Sequence, residues 1–180
     1  MPFYFAYGSC MNVPDLLRSG VGAIQQGTVV LKNYRLTFSR YSYSRGGGVA
    51  DIVKQRGEFV EGILYWVPNL TALDVREGAP YVYRRKRVRV HLTDGGEPMT
   101  VWTYEVVDKA MIEYAPSRHY ALLIWEGARI LSPAYREKLK QILLREERVK
   151  NDEQSRFGKA SFRKDGSIEE RSYEGRRGCI

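Results

Sequence analysis

The stretch Glu58-Phe59-Val60-Glu61-Gly62-Ile63-Leu64-Tyr65-Trp66-Val67 decides how the chain must fold. Its β-branched and aromatic residues suit a strand. Period-two alternation puts Val60, Gly62, Leu64 and Trp66 on one face and Ile63, Tyr65 and Val67 on the other. Both faces are therefore apolar, and such a strand belongs in the middle of a sheet or barrel.

Shorter strands are expected on either side. Upstream lie Phe3–Tyr7, the pair 27–31 and 34–39 joined at Lys32-Asn33, and Val49–Val53 after a mobile loop at Gly46-Gly47-Gly48. Downstream, Tyr83–Leu92 and Met99–Val106 form a hairpin across Asp94-Gly95-Gly96. Asn12, Pro14 and Asp15 mark one helix start. Asn69 starts a short helix over 70–77, stopped by Gly78 and Pro80. Ser117 opens a helix through Trp125 whose run 120–125 is apolar nearly all round, which predicts burial. Ser132-Pro133 opens the last helix, with Tyr135, Leu139, Ile142 and Leu143 on one face. Strands come first and two helices gather late, so the class is α+β. The domain is expected over 1–149, with 150–180 a polar tail, weakly ordered or docked by Phe157 and Phe162.

A chain of 180 residues with 43% hydrophobic and 28% charged residues can bury a core, which argues against wholesale disorder. Mean hydropathy is −0.43, and no apolar run approaches the roughly 20 residues needed to cross a bilayer, so no membrane is expected. The first residues do not read as a secretory leader. Two cysteines, Cys10 and Cys179, make neither a disulfide framework nor a four-cysteine metal site, and a cytoplasmic address is the expectation. The net charge of +8 invites a nucleic-acid partner. Five of the charges sit in Arg84-Arg85-Lys86-Arg87-Val88-Arg89, where alternation separates Arg85, Arg87 and Arg89 from Lys86, Val88 and Val90. A solvated strand whose charges discourage edge pairing explains the run more simply.

One carboxylate stands against local rules. Leu70, Leu73 and Glu77 fall at i, i+3 and i+7, so Glu77 shares the side that the leucines bury. It also occupies the last helical turn, where the helix dipole favours a cation. Burial and dipole both push its pKa upward, which suits a proton-moving group. The alternative is a frayed terminus or a pair with Arg84 or Arg85. His91 falls in a strand and His119 in a helix expected to be buried; both read as structural. Ser9 lacks a G-x-S-x-G elbow, Cys10 lacks an identifiable histidine partner, and the triple glycine lacks the Lys-Ser/Thr of a phosphate loop. No spacing suggests a metal site. The segment Ala6-Tyr7-Gly8-Ser9-Cys10 ends a strand at a turn where backbone N–H groups can converge on an anion.

These residues resemble a known family. Phe5-Ala6-Tyr7-Gly8-Ser9-Cys10-Met11 is similar to the Tyr-Gly-Ser-Asn-Leu/Met signature of the gamma-glutamylcyclotransferase-like proteins. Leu73-Asp74-Val75-Arg76-Glu77-Gly78 resembles their second signature, whose glutamate before glycine is the catalytic base. Tyr83 matches a pocket tyrosine, and Glu113–Tyr120 resembles the late Pro-Ser-x-x-Tyr segment, which brings Tyr120 to the pocket. Cys10 stands where the family usually has asparagine, and the stretch from Glu77 to Tyr83 is short. The resemblance implies a small mixed β-barrel flanked by helices. It implies an enzyme that converts a gamma-glutamyl amine or dipeptide to 5-oxoproline and a free amine or amino acid, without a cofactor. Glu77 would be the acid/base, and Tyr7, Gly8, Ser9, Cys10, Met11, Tyr83 and Tyr120 would bind substrate. A non-catalytic ligand-binding module on the same scaffold, and a nucleic-acid-associated basic protein, are the competing readings.

Overall fold

The computed structural model describes residues 2–93 and 95–144. Five strands close a barrel: β1 (Phe3–Ala6), β2 (Ile24–Ser42), β3 (Gly47–Trp66), β4 (Tyr83–Leu92) and β5 (Met99–Val106), in the order β1-β3-β2-β4-β5. Neighbours run antiparallel except at the closure, where β1 meets β5 in parallel through Tyr4 and Trp102. The barrel is therefore mixed, as expected. The Thr103 hydroxyl reinforces the closing seam by donating to the Phe5 carbonyl at 2.8 Å.

The two-sided stretch runs through the centre of this arrangement. β3 pairs with β1 on one edge and β2 on the other, and Val60 through Tyr65 are all buried. Gly62 has no room for a side chain: a Cβ there would lie 2.1 Å from the Ala6 carbonyl oxygen. Cross-strand contact with β1 thus selects a glycine inside an otherwise bulky run.

β2 and β3 each continue where the sequence predicted a break. Asn33 takes a left-handed conformation (φ 62°), and its side-chain oxygen accepts the Gly57 N–H at 3.1 Å. The pairing slips there from Lys32↔Phe59 to Tyr34↔Lys54 and then resumes. An irregularity of this kind interrupts the ladder without ending the strands. The triple glycine is likewise not a mobile loop. Gly47 and Gly48 open β3 and are buried against the segment before the third helix, and the Gly48 N–H donates to the Ala115 carbonyl at 2.7 Å.

Among the described residues four α-helices accompany the strands: α1 (Val13–Leu17), α2 (Thr71–Glu77), α3 (Arg118–Gly127) and α4, helical over 133–144. Asn12 caps α1 by accepting the Asp15 N–H at 3.0 Å. Ser117 caps α3 by accepting the Tyr120 N–H at 3.3 Å. Asn69 accepts the Thr71 N–H at 2.9 Å, and α2 ends on Gly78 at φ 62°, a left-handed position that glycine tolerates. Ser132 caps α4 and in turn donates its N–H and hydroxyl to Glu61 of β3, at 2.9 and 2.6 Å. α3 is buried along one face only: Tyr120, Leu123 and Ile124 point inward, whereas Leu122 and His119 are exposed. The proposed tail over 150–180 lies outside the described residues.

The basic strand β4 alternates as the sequence indicates, with Arg85, Arg87 and Arg89 exposed and Val88 and Val90 buried. It is not an edge. It lies between β2 and β5, and its charges meet partners: Arg84 and Lys86 pair with Glu105 at 2.9 and 2.6 Å, Arg85 pairs with Asp74, and Arg87 lies 5.8 Å from the Trp102 ring centre. Among the described residues no helix is long and apolar enough to cross a membrane.

Candidate functional site

Two connected hollows lie where β1, α2, α3 and the tip of the β2–β3 hairpin meet. The outer cavity measures about 460 Å³ and is lined by Ser9, by Arg40 through Arg45, and by Val75, Arg76, Glu77, Tyr83 and Tyr120, among others. An inner nook of about 30 Å³ is walled by Tyr4, Tyr7, Gly8, Cys10, Ala50 and Tyr104. Ser9, Glu77, Tyr83 and Tyr120 line both. Glu77 therefore borders both.

Helix α2 sets that position. Leu70 and Leu73 are buried, and Glu77 projects on their side with only 16% of its side chain exposed. The Cys10 thiol donates to Glu77 Oε1 at 3.2 Å, and Arg76 Nε lies 3.7 Å from the same oxygen. Burial raises the Glu77 pKa above the ordinary carboxylate value; the Cys10 hydrogen bond and the positive charges of Arg76 and Arg45 offset this only in part. Burial, with the nearby Glu77 charge, also pushes the Cys10 thiol up to about 12. At neutral pH Cys10 is thus a protonated donor and not a thiolate nucleophile.

Arg76 ties three segments together. Its guanidinium pairs with Asp15 Oδ2 at 2.5 Å, donates to the Asp15 carbonyl at 2.9 Å, and reaches Ser19, Ser9 and the Cys10 sulfur. Asp15 is buried at a cost, yet the hydrogen bond and charge of Arg76, helped by Arg45, hold its carboxyl below the usual range. Arg45 approaches Asp15 at 3.5 Å and lies over the Tyr120 ring at 5.5 Å.

The tyrosines are fixed by their hydroxyls. Tyr7 donates to the Tyr104 carbonyl at 2.7 Å, Tyr83 donates to the Ala50 carbonyl at 2.8 Å, and Tyr120 accepts the Ala50 N–H at 3.2 Å. Burial raises the pKa of all three, so each stays protonated. After β1 the chain makes a 3-10 turn, Ser9–Met11, in which the N–H groups of Gly8, Ser9 and Cys10 donate to no acceptor among the described residues. Those donors lie beside the hollow that Glu77 faces. A proton acceptor next to unengaged backbone donors can deprotonate an amine and hold a carboxylate or an oxyanion. Among the described residues no group of three or more His, Cys, Asp or Glu is placed to hold a metal.

Of the residues singled out from sequence, Tyr7, Gly8, Ser9, Cys10, Glu77, Tyr83 and Tyr120 converge on the two hollows. Met11 does not. It is buried on the far side of the turn, its carbonyl accepts the Tyr65 hydroxyl at 3.3 Å, and it lines a separate depression with Ile63 and Ile130. The 3-10 turn rotates it away from its two predecessors. Sequence reading missed Arg76, Asp15, Arg40 and Arg45. Asp15 was visible only as a first-turn acid, and Arg76 only as the neighbour of Glu77; nothing local pairs positions so far apart.

Comparisons with known proteins agree with this fold. The family model for "Gamma-glutamyl cyclotransferase, AIG2-like" matches residues 4–122. The Bacillus subtilis (strain 168) protein named "Putative gamma-glutamylcyclotransferase YkqA" is 38% identical over 148 residues, covering 77% of this chain and 51% of that protein. The chain thus spans about half the length of the curated relative it matches. The crystal structure of YkqA superposes with a TM-score of 0.69 at 35% identity, over 79% of this chain and 54% of that one. A structure named gamma-glutamyl cyclotransferase gives 0.69 at 29% identity, over 77% and 85%. An uncharacterized protein from Homo sapiens gives 0.71 at 30% identity, over 77% and 86%.

Proposed function

This chain belongs to the gamma-glutamyl cyclotransferase, AIG2-like family, and on that premise we propose that it cyclises a gamma-glutamyl amine or dipeptide to 5-oxoproline and releases a free amine or amino acid. The observation that carries the reading is Glu77, largely buried, lining both hollows and accepting the Cys10 thiol of the turn that closes β1.

The substrate's alpha-ammonium must first lose a proton. Free alpha-amines titrate near 8 and an ordinary glutamate near 4.3, so the transfer is uphill by roughly 3.5 units, about 5 kcal/mol. The raised pKa of Glu77 lowers that cost. The freed nitrogen then attacks the gamma-carbonyl carbon of the same molecule, which closes a five-membered lactam. The amide bond to the leaving nitrogen breaks as that nitrogen is protonated. The ammonium sheds two protons in becoming a lactam N–H, and the leaving group gains the same two in becoming RNH₃⁺. Glu77 ferries them. The N–H groups of Gly8, Ser9 and Cys10 take the substrate carboxylate or the developing oxyanion, and Tyr7, Tyr83 and Tyr120 wall the site. Only protons and an acyl group move, so residues of the chain suffice.

The test is release of 5-oxoproline from a panel of gamma-glutamyl amides, comparing wild type with Glu77→Gln. Glutamine keeps the shape and loses the base. A drop of about a hundredfold or more is expected; retained turnover would remove Glu77 from this role. Thermal stabilisation by 5-oxoproline without any turnover in the wild type would instead indicate a binding module.

A further inference from the structure

The inner nook is too small for more than a water-sized group, so a substrate and its leaving half must share the outer cavity. One continuous segment, Arg40-Tyr41-Ser42-Tyr43-Ser44-Arg45, at the tip of the β2–β3 hairpin, supplies much of its lining. The charges there are one-sided. Arg40, Arg45 and Arg76 line the cavity, and Glu77 is the sole acid among the lining residues. Arg76 is committed to Asp15 and Glu77, and Arg45 to Asp15 and the Tyr120 ring. Arg40 is different: its backbone pairs with Val49 in the ladder, but the residue is half-buried and its guanidinium has no acid, hydrogen-bond or ring partner among the described residues. A guanidinium partly withdrawn from water and left without an anion is an incomplete pair.

We propose that Arg40 completes its pair with a carboxylate on the leaving half, so that the preferred substrates are gamma-glutamyl derivatives of alpha-amino acids and not of plain or cationic amines. This rests on the reading of the cavity as a gamma-glutamyl site. With the glutamyl end at the turn and Glu77, the leaving half extends toward the hairpin tip. An amino-acid leaving group brings its carboxylate there. An alkylamine brings nothing for Arg40, and a diamine brings a second positive charge into a cavity that already holds three.

Three amides isolate the effect: gamma-glutamyl-alanine, gamma-glutamyl-ethylamide, which lacks only the carboxylate, and gamma-glutamyl-(2-aminoethyl)amide, which carries a cation. The readout is the ratio of kcat/KM values for 5-oxoproline release within one protein sample, so loss of folded protein cancels. Wild type is expected to favour the alanine compound over the ethylamide by about ten- to a hundredfold, a charge-assisted hydrogen bond's worth, with the cationic compound last. Arg40→Glu should erase the alanine preference and move the cationic compound upward. Equal ratios in wild type and variant overturn the proposal. Calorimetric affinities for the same compounds separate the two readings. Absence of turnover, with an alanine preference in binding that Arg40→Glu abolishes, sinks the catalytic reading and leaves the arginine's role standing. No preference in either measurement sinks the role of Arg40.

Discussion

A carboxyl group that burial makes reluctant to ionise leaves a mark on stability as well as on chemistry. The folded pKa of Glu77 is raised. Between the ordinary carboxylate pKa and this higher one, the folded chain keeps a proton that the unfolded chain has lost, so Glu77's contribution to stability falls as pH rises through that window. Glu77→Gln removes the dependence. Melting temperatures of wild type and variant should coincide in acid, below about pH 4, and the variant should pull ahead as the pH approaches neutrality. A wild-type advantage that grows with pH would mean instead that the Arg76 and Cys10 contacts outweigh burial. The inward direction of Glu77 was legible in the sequence because three positions on one helix are enough to define a face. The Arg76–Asp15 pair was not, because it joins residues 61 positions apart and each looks like an ordinary surface charge on its own helix.

At the scale of elements, close backbone approaches decide which glycines matter. A Cβ on Gly48 would sit 2.1 Å from the Tyr114 carbonyl oxygen, a fixed atom that cannot turn aside. Gly48→Ala should therefore push β3 away from the 114–117 segment and cost about 1–3 kcal/mol in denaturant unfolding; an unchanged midpoint would refute the contact. Three adjacent glycines read as a mobile loop because composition reports freedom and not what fills the space beside it. The same limit explains the split of β2 and β3 into shorter pieces. Lys32-Asn33 carries turn chemistry, and only the cross-strand bond from Gly57 shows the turn residue absorbed into a continuous ladder. The caps at Asn12 and Ser117 were readable, because each acts within three residues of itself; the N-cap of α2 is Leu70 and not Asn69, which only accepts the Thr71 N–H from one position earlier.

For the barrel as a whole, closure is the weakest feature in extent. β1 and β5 pair at a single position, with the Thr103 hydroxyl adding one hydrogen bond to the Phe5 carbonyl. Thr103→Val keeps the shape, removes that bond and leaves the carbonyl with one partner fewer. A loss of about 1–2 kcal/mol is expected, with faster hydrogen exchange along β1 and β5 than along the β2–β3 ladder; uniform exchange across all five strands would contradict it. Strand membership followed from the two-sided core stretch, but a parallel seam between the first and last strands has no local sequence signature. The hairpin tip was equally hidden in function. Arg40 to Arg45 look like an exposed turn until α3 and the turn after β1 are brought against them. Because Arg40 to Ser44 form a single short run, remote along the chain from Glu77, that part of the wall can be recharged without touching the group to which the proposed reaction is assigned, whereas Arg45 bears on Glu77, Asp15 and Tyr120. Under the proposed function, selectivity is thereby free to drift while the reaction stays put.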